Sequence, residues 1–484
     1  MVDGEVLEIG NYIGGEFVGS LNGEWFDVVE PATGRLFARA PLSEARDVEL
    51  AVEAAKSAQP SWGAIESGDR AAWLDKIAEA LEARHEELSA LESRDTGKPI
   101  SLARSVDAAR SVENFRFFAN LLREQEQESF EMDDATNFVV SKPVGIGALV
   151  TPWNLPLYLL SWKLAPAIGM GNAVVCKPSE LTPMTADLLM KVIDEIGMPS
   201  GVVNLIHGDG MGAGSPLVAH PDIDFVSFTG GTATGRKVAA SAAPGFKKLS
   251  LELGGKNSSI VFSDCDMDST VAGVTRAGFL NQGQVCLCGS RILVESAIYE
   301  EFRDKFVDSV EKMRIGDPSD EATELGALIS HEHLEKVIGY VELAKKEGGT
   351  LLTGGSPCTP KDFEGGNWMS PTVIEGVDAD SRCATEEIFG PVVTLHRFEN
   401  EEEALEIANN TSYGLAGSVW TGDTARGRAF SEKMETGMVW VNSWLHRDLR
   451  VPFGGVKDSG VGREGGRWSL GFFSEAMNVC VKRE

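Results

Sequence analysis

Apolar side chains in the first quarter of the chain recur at the spacing of amphipathic helices. Between residues 69 and 99 they occupy one helical face, at Leu74, Ile77, Ala78, Leu81, Leu88 and Leu91. Asp69 is a candidate N-cap, and Gly97 with Pro99 is a typical stop signal. A second helix is predicted over residues 101–122. The chain therefore begins with a helix-rich region.

From residue 135 onward, short β-branched runs alternate with helical patterns. Strands are predicted within 135–153, 172–179, 202–208, 223–230, 258–264, 291–295 and 437–444, and helices within 185–197, near 214–220 and within 296–313. Such alternation indicates crossover units and a mostly parallel sheet. The fold class is therefore α/β, with two domains that divide near Gly254 and Gly255.

Length and charge narrow the possible functions. A chain of 484 residues is too long for one hydrophobic core, so two or three domains are expected. The formal net charge of -29 argues against nucleic acid and anionic membranes as partners. The sequence contains no run of 18 apolar residues, so no transmembrane helix is predicted. The beginning, MVDGEVLEIGNY, lacks the basic and apolar regions of a signal peptide, which favours a cytoplasmic location.

The seven cysteines raise a question about chemistry. Their spacing fits neither a zinc site nor a disulfide scaffold, so no metal is expected. Cys286 and Cys288 lie one residue apart in FLNQGQVCLCGSR and are a possible nucleophile and its neighbour. Gly230 and Gly235 follow a predicted strand in FTGGTATGRKV. They mark either a phosphate-binding helix start or simply a tight turn.

Seven short motifs, taken in order, carry a family resemblance. They are TPWNLP (151–156), KPSE (177–180), FTGG (228–231), LELGGK (251–256), NQGQVC (281–286), EEIFGPV (386–392) and PFGGVKDSGVGRE (452–464). From about residue 11 to 484, the chain resembles the NAD(P)-dependent aldehyde dehydrogenase superfamily. The resemblance implies two Rossmann-type α/β domains: an NAD-binding domain over 1–120 and 143–254, and a catalytic domain over 255–454. It also implies an oligomerisation arm from 121–142 and 470–484, and a homodimer or homotetramer.

The resemblance assigns the catalytic roles. Cys286 matches the nucleophile that forms a thiohemiacetal and then a thioester, whereas Cys288 does not and is expected to be a small buried residue. Glu252 matches the base that activates water for hydrolysis, and Asn154 matches the oxyanion donor. Lys163 and Glu464 match a proton exit path, although an ordinary ion pair explains them equally well.

Other matched positions concern the cofactor. The resemblance places cofactor contacts at Trp153, Lys177, Glu180, Gly230, Gly235, Leu253, Glu387 and Phe389. The two glycines would let the backbone approach the pyrophosphate. A carboxylate at Glu180 accepts hydrogen bonds from ribose hydroxyls and repels a 2′-phosphate, so NAD is expected rather than NADP.

The flanking segments are similar to the muconic semialdehyde dehydrogenase branch, whose substrates arise in aromatic-ring degradation. Those semialdehydes carry a carboxylate, and Arg116 and Arg447 match the branch's anion-binding positions. Arg116 alone would also fit a helix surface, and Arg447 alone would also fit a pair with Asp448. The aldehyde tunnel is expected to include Trp162, Trp444 and Phe453. A betaine-type or broad aliphatic specificity, or a non-catalytic binding protein, remains an alternative.

Overall fold

The computed structural model describes residues 6–483. The first five residues, with which the expected NAD-binding domain begins, and Glu484 lie outside it. None of the described helices combines the length and apolarity needed to cross a membrane.

The chain up to residue 143 is the helix-rich region that the sequence predicts. Its elements are β1 Leu7–Glu8, β2 Asn11–Ile13, β3 Glu16–Val18, β4 Trp25–Glu30, β5 Arg35–Pro41, α1 Ala45–Gly63, α2 Ser67–Ala83, α3 His85–Thr96, α4 Ile100–Leu102, a π-helical turn Ala103–Ala108, α5 Ala109–Arg123, β6 Ser129–Glu131 and β7 Ala135–Pro143.

One helix predicted in this region is two helices in the structure. The segment 69–99 is interrupted at Arg84, where the apolar stripe has a gap and the guanidinium pairs with Glu87 and Glu195. Asp69 lies in the first turn of α2 and is not its N-cap. The predicted stop is confirmed, because Gly97 follows α3 with φ 76°, a left-handed conformation that glycine adopts without strain.

Strands and helices alternate through the next region, as predicted. The elements are β8 Ile146–Val150, α6 Pro156–Gly169, β9 Ala173–Lys177, α7 Met184–Glu195, β10 Val203–Leu205, a π-helical turn Gly210–Gly214, α8 Ser215–Ala219, β11 Phe225–Thr229, α9 Thr232–Ala242, a 3₁₀ turn Ala243–Gly245 and β12 Lys248–Glu252.

The remaining elements form a second alternating series and the end of the chain. They are β13 Ser258–Val261, α10 Met267–Phe279, a 3₁₀ turn Leu280–Gly283, β14 Arg291–Glu295, a 3₁₀ turn Ser296–Ile298, α11 Tyr299–Glu311, α12 His331–Lys346, β15 Thr350–Thr353, β16 Thr372–Glu375, α13 Arg382–Thr385, β17 Val392–Phe398, α14 Glu401–Asn409, β18 Tyr413–Gly414, β19 Ala416–Trp420, α15 Thr424–Ser431, β20 Met438–Val441, β21 Val456–Lys457, β22 Gly460–Val461, α16 Gly466–Phe472 and β23 Ser474–Lys482.

Two large sheets organise the molecule. The first has eight strands in the order β22-β12-β11-β8-β9-β10-β2-β3, and its five central strands are parallel. The second has seven strands in the order β15-β16-β17-β14-β13-β19-β20, all parallel except β15. The central strands are buried on both faces, which explains their continuous apolar runs. The predicted α/β class with mostly parallel sheets is confirmed.

A separate three-stranded sheet projects from these layers. Strand β23 pairs antiparallel with β7 along nine residues, and β7 pairs with β6. Most side chains of β23 are exposed, including Val481, and so are Phe130 in β6 and Met132 directly after it. This sheet is the segment in which the sequence predicts the oligomerisation arm.

The chain crosses from the first sheet to the second at Gly254 and Gly255. Three parallel strands of the first sheet end nearby, at Lys177, Thr229 and Glu252. Ligands of open parallel sheets bind beyond the carboxyl ends of the strands. The region between the two sheets is therefore where a site is expected.

Candidate active site

Glu252 ends β12 and is buried, with 4% of its surface exposed. Its Oε1 atom has no hydrogen-bond partner among the described residues. Gly454 lies against it, because a Cβ atom there would come within 2.7 Å of Oε1. Burial raises the pKa of Glu252 well above its ordinary value, and the nearby carboxylate of Glu464 raises it further. Such a carboxyl holds a proton more strongly than an ordinary glutamate and is a stronger base.

Cys286 lies in the loop that follows α10. Asn281 and Gln282 adopt left-handed backbone angles there, with φ of 53° and 57°, which turn the loop sharply. The side chain of Asn257 donates to the carbonyl oxygen of Cys286 at 2.7 Å. Burial raises the pKa of the Cys286 thiol, and the next contribution comes from the carboxylate of Glu252. The resting thiol is therefore protonated, with a carboxylate close enough to influence it.

Cys288 is buried at 6% exposure and packs in the apolar core, as the sequence predicts. Its carbonyl oxygen also accepts a hydrogen bond from Asn257, at 3.0 Å. Among residues 6–483, no cluster of three or more histidine, cysteine or acidic side chains has the arrangement of a metal site.

Asn154 is buried in the turn between β8 and α6. Its Nδ2 atom donates to the carbonyl oxygen of Gln284 at 2.9 Å, two residues before Cys286. The carboxamide is thus attached to the loop that carries the thiol. The second N–H of an amide group of this kind can serve a ligand atom beside the sulfur.

Lys163 and Glu464 form a buried ion pair with an Nζ–Oε1 distance of 2.7 Å. Lys163 also donates to Ser227 at 2.9 Å. Both charges act on the carboxyl of Glu252: Glu464 raises its pKa and Lys163 lowers it. The pair therefore lies next to the base, an arrangement that fits both the relay and the ion-pair interpretation.

A cavity of about 450 Å³ lies beyond the ends of β9 and β11. Its walls include Trp153, Lys177, Glu180 and Gly230, four of the residues assigned to the cofactor by resemblance. The Nζ atom of Lys177 lies 3.7 Å from Oε2 of Glu180. Helix α9 begins at this cavity, and a Cβ atom on Gly231 would meet nothing within 4 Å. Open space at a helix start, with polar groups around it, fits a dinucleotide.

Gly235 packs closely against a neighbouring side chain. It is buried in α9, and a Cβ atom there would lie 2.4 Å from a methyl carbon of Leu253. The glycine therefore makes room for close packing of α9 against Leu253. Contact between its backbone and a pyrophosphate stays a prediction.

Two loops bring further cofactor candidates to the crossing between the sheets. Glu387 accepts a hydrogen bond from the backbone N–H of Gly255 at 2.9 Å. Phe389 packs edge-on against Trp153, with ring centroids 5.3 Å apart. His333 accompanies them, because its Nε2 atom bonds to the carbonyl oxygen of Phe389 at 2.6 Å. No sequence motif pointed to His333.

Arg447 lies among aromatic rings. Its guanidinium carbon is 4.2 Å from the ring centroid of Phe453 and 4.6 Å from that of Trp162. It donates to the hydroxyl of Tyr158, while its Nη2 atom is buried without a partner among the described residues. Trp444 is also buried, and its indole N–H donates to the carbonyl oxygen of Leu287 at 3.0 Å. Arg447 therefore retains hydrogen-bonding capacity.

Arg116 has different surroundings. It is partly exposed on α5 and pairs with Glu82, with Nη1–Oε1 at 3.0 Å. The alternative pair of Arg447 with Asp448 is not present among the described residues, because Asp448 pairs with Arg450. Only Arg447 of the two predicted anion-binding residues combines burial with an unused donor.

Sequence reasoning missed several supporting residues. Tyr158, His333, Asn257 and Lys98 contact the predicted site residues from positions distant in sequence. The only signal was for Asn257, which directly follows the LELGGK motif. The others are recognisable only once the fold brings separate segments together.

Comparison with known proteins agrees with this geometry. Residues 17–479 match the aldehyde dehydrogenase family. A 2-aminomuconic semialdehyde dehydrogenase from Danio rerio is 47% identical, covering 99% of both chains. A 2-hydroxymuconic semialdehyde dehydrogenase from Pseudomonas sp. (strain CF600) is 45% identical, covering 98% of this chain and 99% of that one. The structure of betaine aldehyde dehydrogenase from Staphylococcus aureus in complex with NAD+ has a TM-score of 0.96 and 36% identity, covering 98% and 95% of the two chains. The chain belongs to the aldehyde dehydrogenase family.

Proposed function

We propose that the protein oxidises a carboxylate-bearing semialdehyde to the acid with NAD as acceptor. The substrate class is that of 2-aminomuconic and 2-hydroxymuconic semialdehyde, after which several similar relatives are named. The observation that carries this choice is Arg447, a half-buried cation with an unpartnered N–H on the aromatic side of the site. An arginine in such surroundings binds a carboxylate strongly.

Cys286 attacks the aldehyde carbon, and the bond formed makes the carbonyl oxygen an oxyanion. The thiol must first give its proton to water, although burial and the carboxylate of Glu252 both raise its pKa. Asn154 donates its side-chain N–H to the oxyanion, together with the backbone N–H of Cys286. When bound, NAD supplies the acceptor for the two electrons that leave the carbon. Glu252 then takes a proton from water, which hydrolyses the thioester.

NAD fits the cavity better than NADP. Glu180 lies on its wall with a carboxylate 3.7 Å from Lys177. A negative group there accepts from the two ribose hydroxyls and opposes a 2′-phosphate. The ribose at the other end of the cofactor would be held by Glu387.

The domain roles follow from these assignments. Residues 1–120 and 143–254 bind NAD, residues 255–454 carry the thiol, and residues 121–142 with 470–484 form the oligomerisation arm of a homodimer or homotetramer. Support for the arm comes from the exposed apolar side chains on its sheet. A cytoplasmic location agrees with seven cysteines that are all free. Lys163 and Glu464 conduct protons away from Glu252 in this scheme.

A betaine-type specificity is the second candidate, because the structure of one such enzyme is very similar. Betaine aldehyde carries a positive charge, and Arg447 would repel it. Arg447 thus favours an anionic substrate over a cationic one.

The experiment compares Arg447→Ala with wild type on 2-hydroxymuconic semialdehyde and on hexanal, following NADH absorbance. Loss of a hydrogen bond to a charged group costs about 1.5–3 kcal/mol, so KM for the anionic aldehyde should rise about 10- to 100-fold. KM for hexanal should change less than about threefold. The matched control is Arg450→Ala, whose side chain is exposed and paired with Asp448. Equal losses on both aldehydes would contradict the anion-binding role.

Arg116→Ala tests the second arginine predicted from the sequence. Because Arg116 already pairs with Glu82 at the surface, we expect a change in KM below about threefold for either aldehyde. A rise confined to the semialdehyde would restore Arg116 to the binding site.

A further inference from the structure

A buried charge cluster lies beneath the turn that carries Asn154. The side chain of Lys98 is fully buried, and its Nζ atom donates to Asp107 at 2.7 Å. The same Nζ donates to the backbone carbonyl oxygen of Asn154 at 3.0 Å. Glu92, also fully buried, lies 3.5 Å from Nζ. These residues come from the helical region before residue 110, far from Asn154 in sequence.

We infer that Lys98 is a positioning residue, which aims the Asn154 carboxamide at the oxygen of the aldehyde bonded to Cys286. The inference rests on the proposed role of Asn154. Asn154 is held at both ends: its carbonyl oxygen by Lys98, and its side-chain Nδ2 by the carbonyl oxygen of Gln284 at 2.9 Å. Two anchors of this kind fix the peptide plane and the side-chain torsion, and so the direction of the remaining N–H.

A second donor serves the same carbonyl but cannot replace the lysine. Asn281 donates its Nδ2 to the Asn154 carbonyl oxygen at 3.2 Å and belongs to the loop that carries Cys286. Asn281 therefore cannot fix the position of the Asn154 carbonyl independently of that loop. Lys98 is attached to the helical region instead, and a charged donor makes the stronger bond.

The surroundings of Lys98 agree with a cation that holds the Asn154 carbonyl in place. A buried lysine is costly unless it is paired, and here three oxygen atoms surround Nζ. A structural need for one hydrogen bond to a carbonyl is met elsewhere in proteins by neutral groups. Preorganisation of an oxyanion donor demands more, because a displacement of about 1 Å can cost about 100-fold in rate.

The test is a double-mutant cycle of Lys98→Met and Asn154→Ala, assayed with 2-hydroxymuconic semialdehyde and NAD. We expect Asn154→Ala to lower kcat about 100-fold or more. Lys98→Met should lower kcat about 10- to 100-fold with KM within about threefold of wild type. In the Asn154→Ala background, Lys98→Met should change kcat less than about twofold, because its target is gone. Asp107→Asn, which keeps an acceptor for Lys98, should stay within about threefold of wild type.

Lys98→Met leaves two buried carboxyls without their cation, so Lys98→Met/Asp107→Leu provides a neutral version of the pair. Replacing a buried ion pair with apolar groups is often tolerated. Thermal denaturation and the Kd for NAD, from tryptophan fluorescence, should match wild type while kcat keeps the loss. Wild-type kcat in this folded variant, or full additivity with Asn154→Ala, would overturn the inference. Unchanged kcat in Asn154→Ala would instead refute the proposed role of Asn154.

Discussion

Replacing Glu252 with glutamine separates the two halves of the reaction. The amide has the shape of the carboxyl but cannot take a proton from water. Glu252 is buried and its Oε1 has no partner among the described residues, so this oxygen is available to accept a proton from water. Loss of a general base costs about 100- to 10,000-fold, which corresponds to about 3–5 kcal/mol in the barrier to hydrolysis.

The assay is stopped-flow NADH absorbance with mass spectrometry of the quenched enzyme. Glu252→Gln should release about one NADH per active site and then turn over very slowly, while an acyl group accumulates on Cys286. Cys286→Ser should give no burst and no acylated protein. A steady-state rate close to wild type in Glu252→Gln would refute the reasoning, because hydrolysis would then have another base.

The pH dependence gives an independent check on the same carboxyl. Only its deprotonated form accepts a proton, so the steady-state rate of the wild type should rise through a pKa well above 4.5. A raised folded-state pKa means that the protonated carboxyl contributes stability, fully present below about pH 4.5 and lost as pH rises through the folded pKa. Glu252→Gln should therefore gain thermal stability relative to wild type at alkaline pH. An unchanged Tm difference across pH would contradict the raised pKa.

Two further predictions concern the loop contacts and the cofactor. A Cβ on Gly283, at φ 70°, would lie 2.1 Å from the carbonyl oxygen of Gly390, so Gly283→Ala should lower the free energy of unfolding by about 2–4 kcal/mol. Gly339→Ala, at a helix position where a Cβ atom meets nothing within 4 Å, should not lower the free energy of unfolding in this way. Equal Tm values for the two variants would contradict the clash at Gly283. Glu180→Ala should raise kcat/KM for NADP relative to NAD about three- to tenfold, a modest factor because the carboxylate is 44% exposed. No change in that ratio would remove Glu180 from cofactor selection.

Patterns of local origin were predictable from the sequence. The strands from residue 135 onward and the glycine that ends α3 follow from β-branched runs and backbone freedom, and both are present. The order of the motifs was enough to propose Cys286, Glu252 and Asn154 as site residues. These residues sit in loops or at strand ends, where the surrounding sequence is distinctive.

Contacts between distant segments were not predictable. The spacing of α5 shows that Phe115 and Phe118 are buried, but not that Glu82 lies opposite Arg116. The break between α2 and α3 is the single residue Arg84, and no glycine or proline marks it. In the sequence, Lys98 lies between the two residues of a helix stop signal, and only the fold brings it against Asn154.

Arg447 differs from most other buried ionisable groups in how it can lower the cost of an unpartnered polar atom. An unsatisfied buried group costs about 1–3 kcal/mol, and most ionisable groups can reduce that cost by becoming neutral. Glu252 does so through its raised pKa, and burial lowers the pKa of Lys256 to about 7. An arginine keeps its charge. Arg291 also has N–H groups without partners among the described residues, but it is fully buried and Asp380 acts on its charge, whereas Arg447 is half-buried against Trp162 and Phe453. Under the proposed function, a carboxylate at the far end of the aldehyde would accept a hydrogen bond from the unused N–H of Arg447.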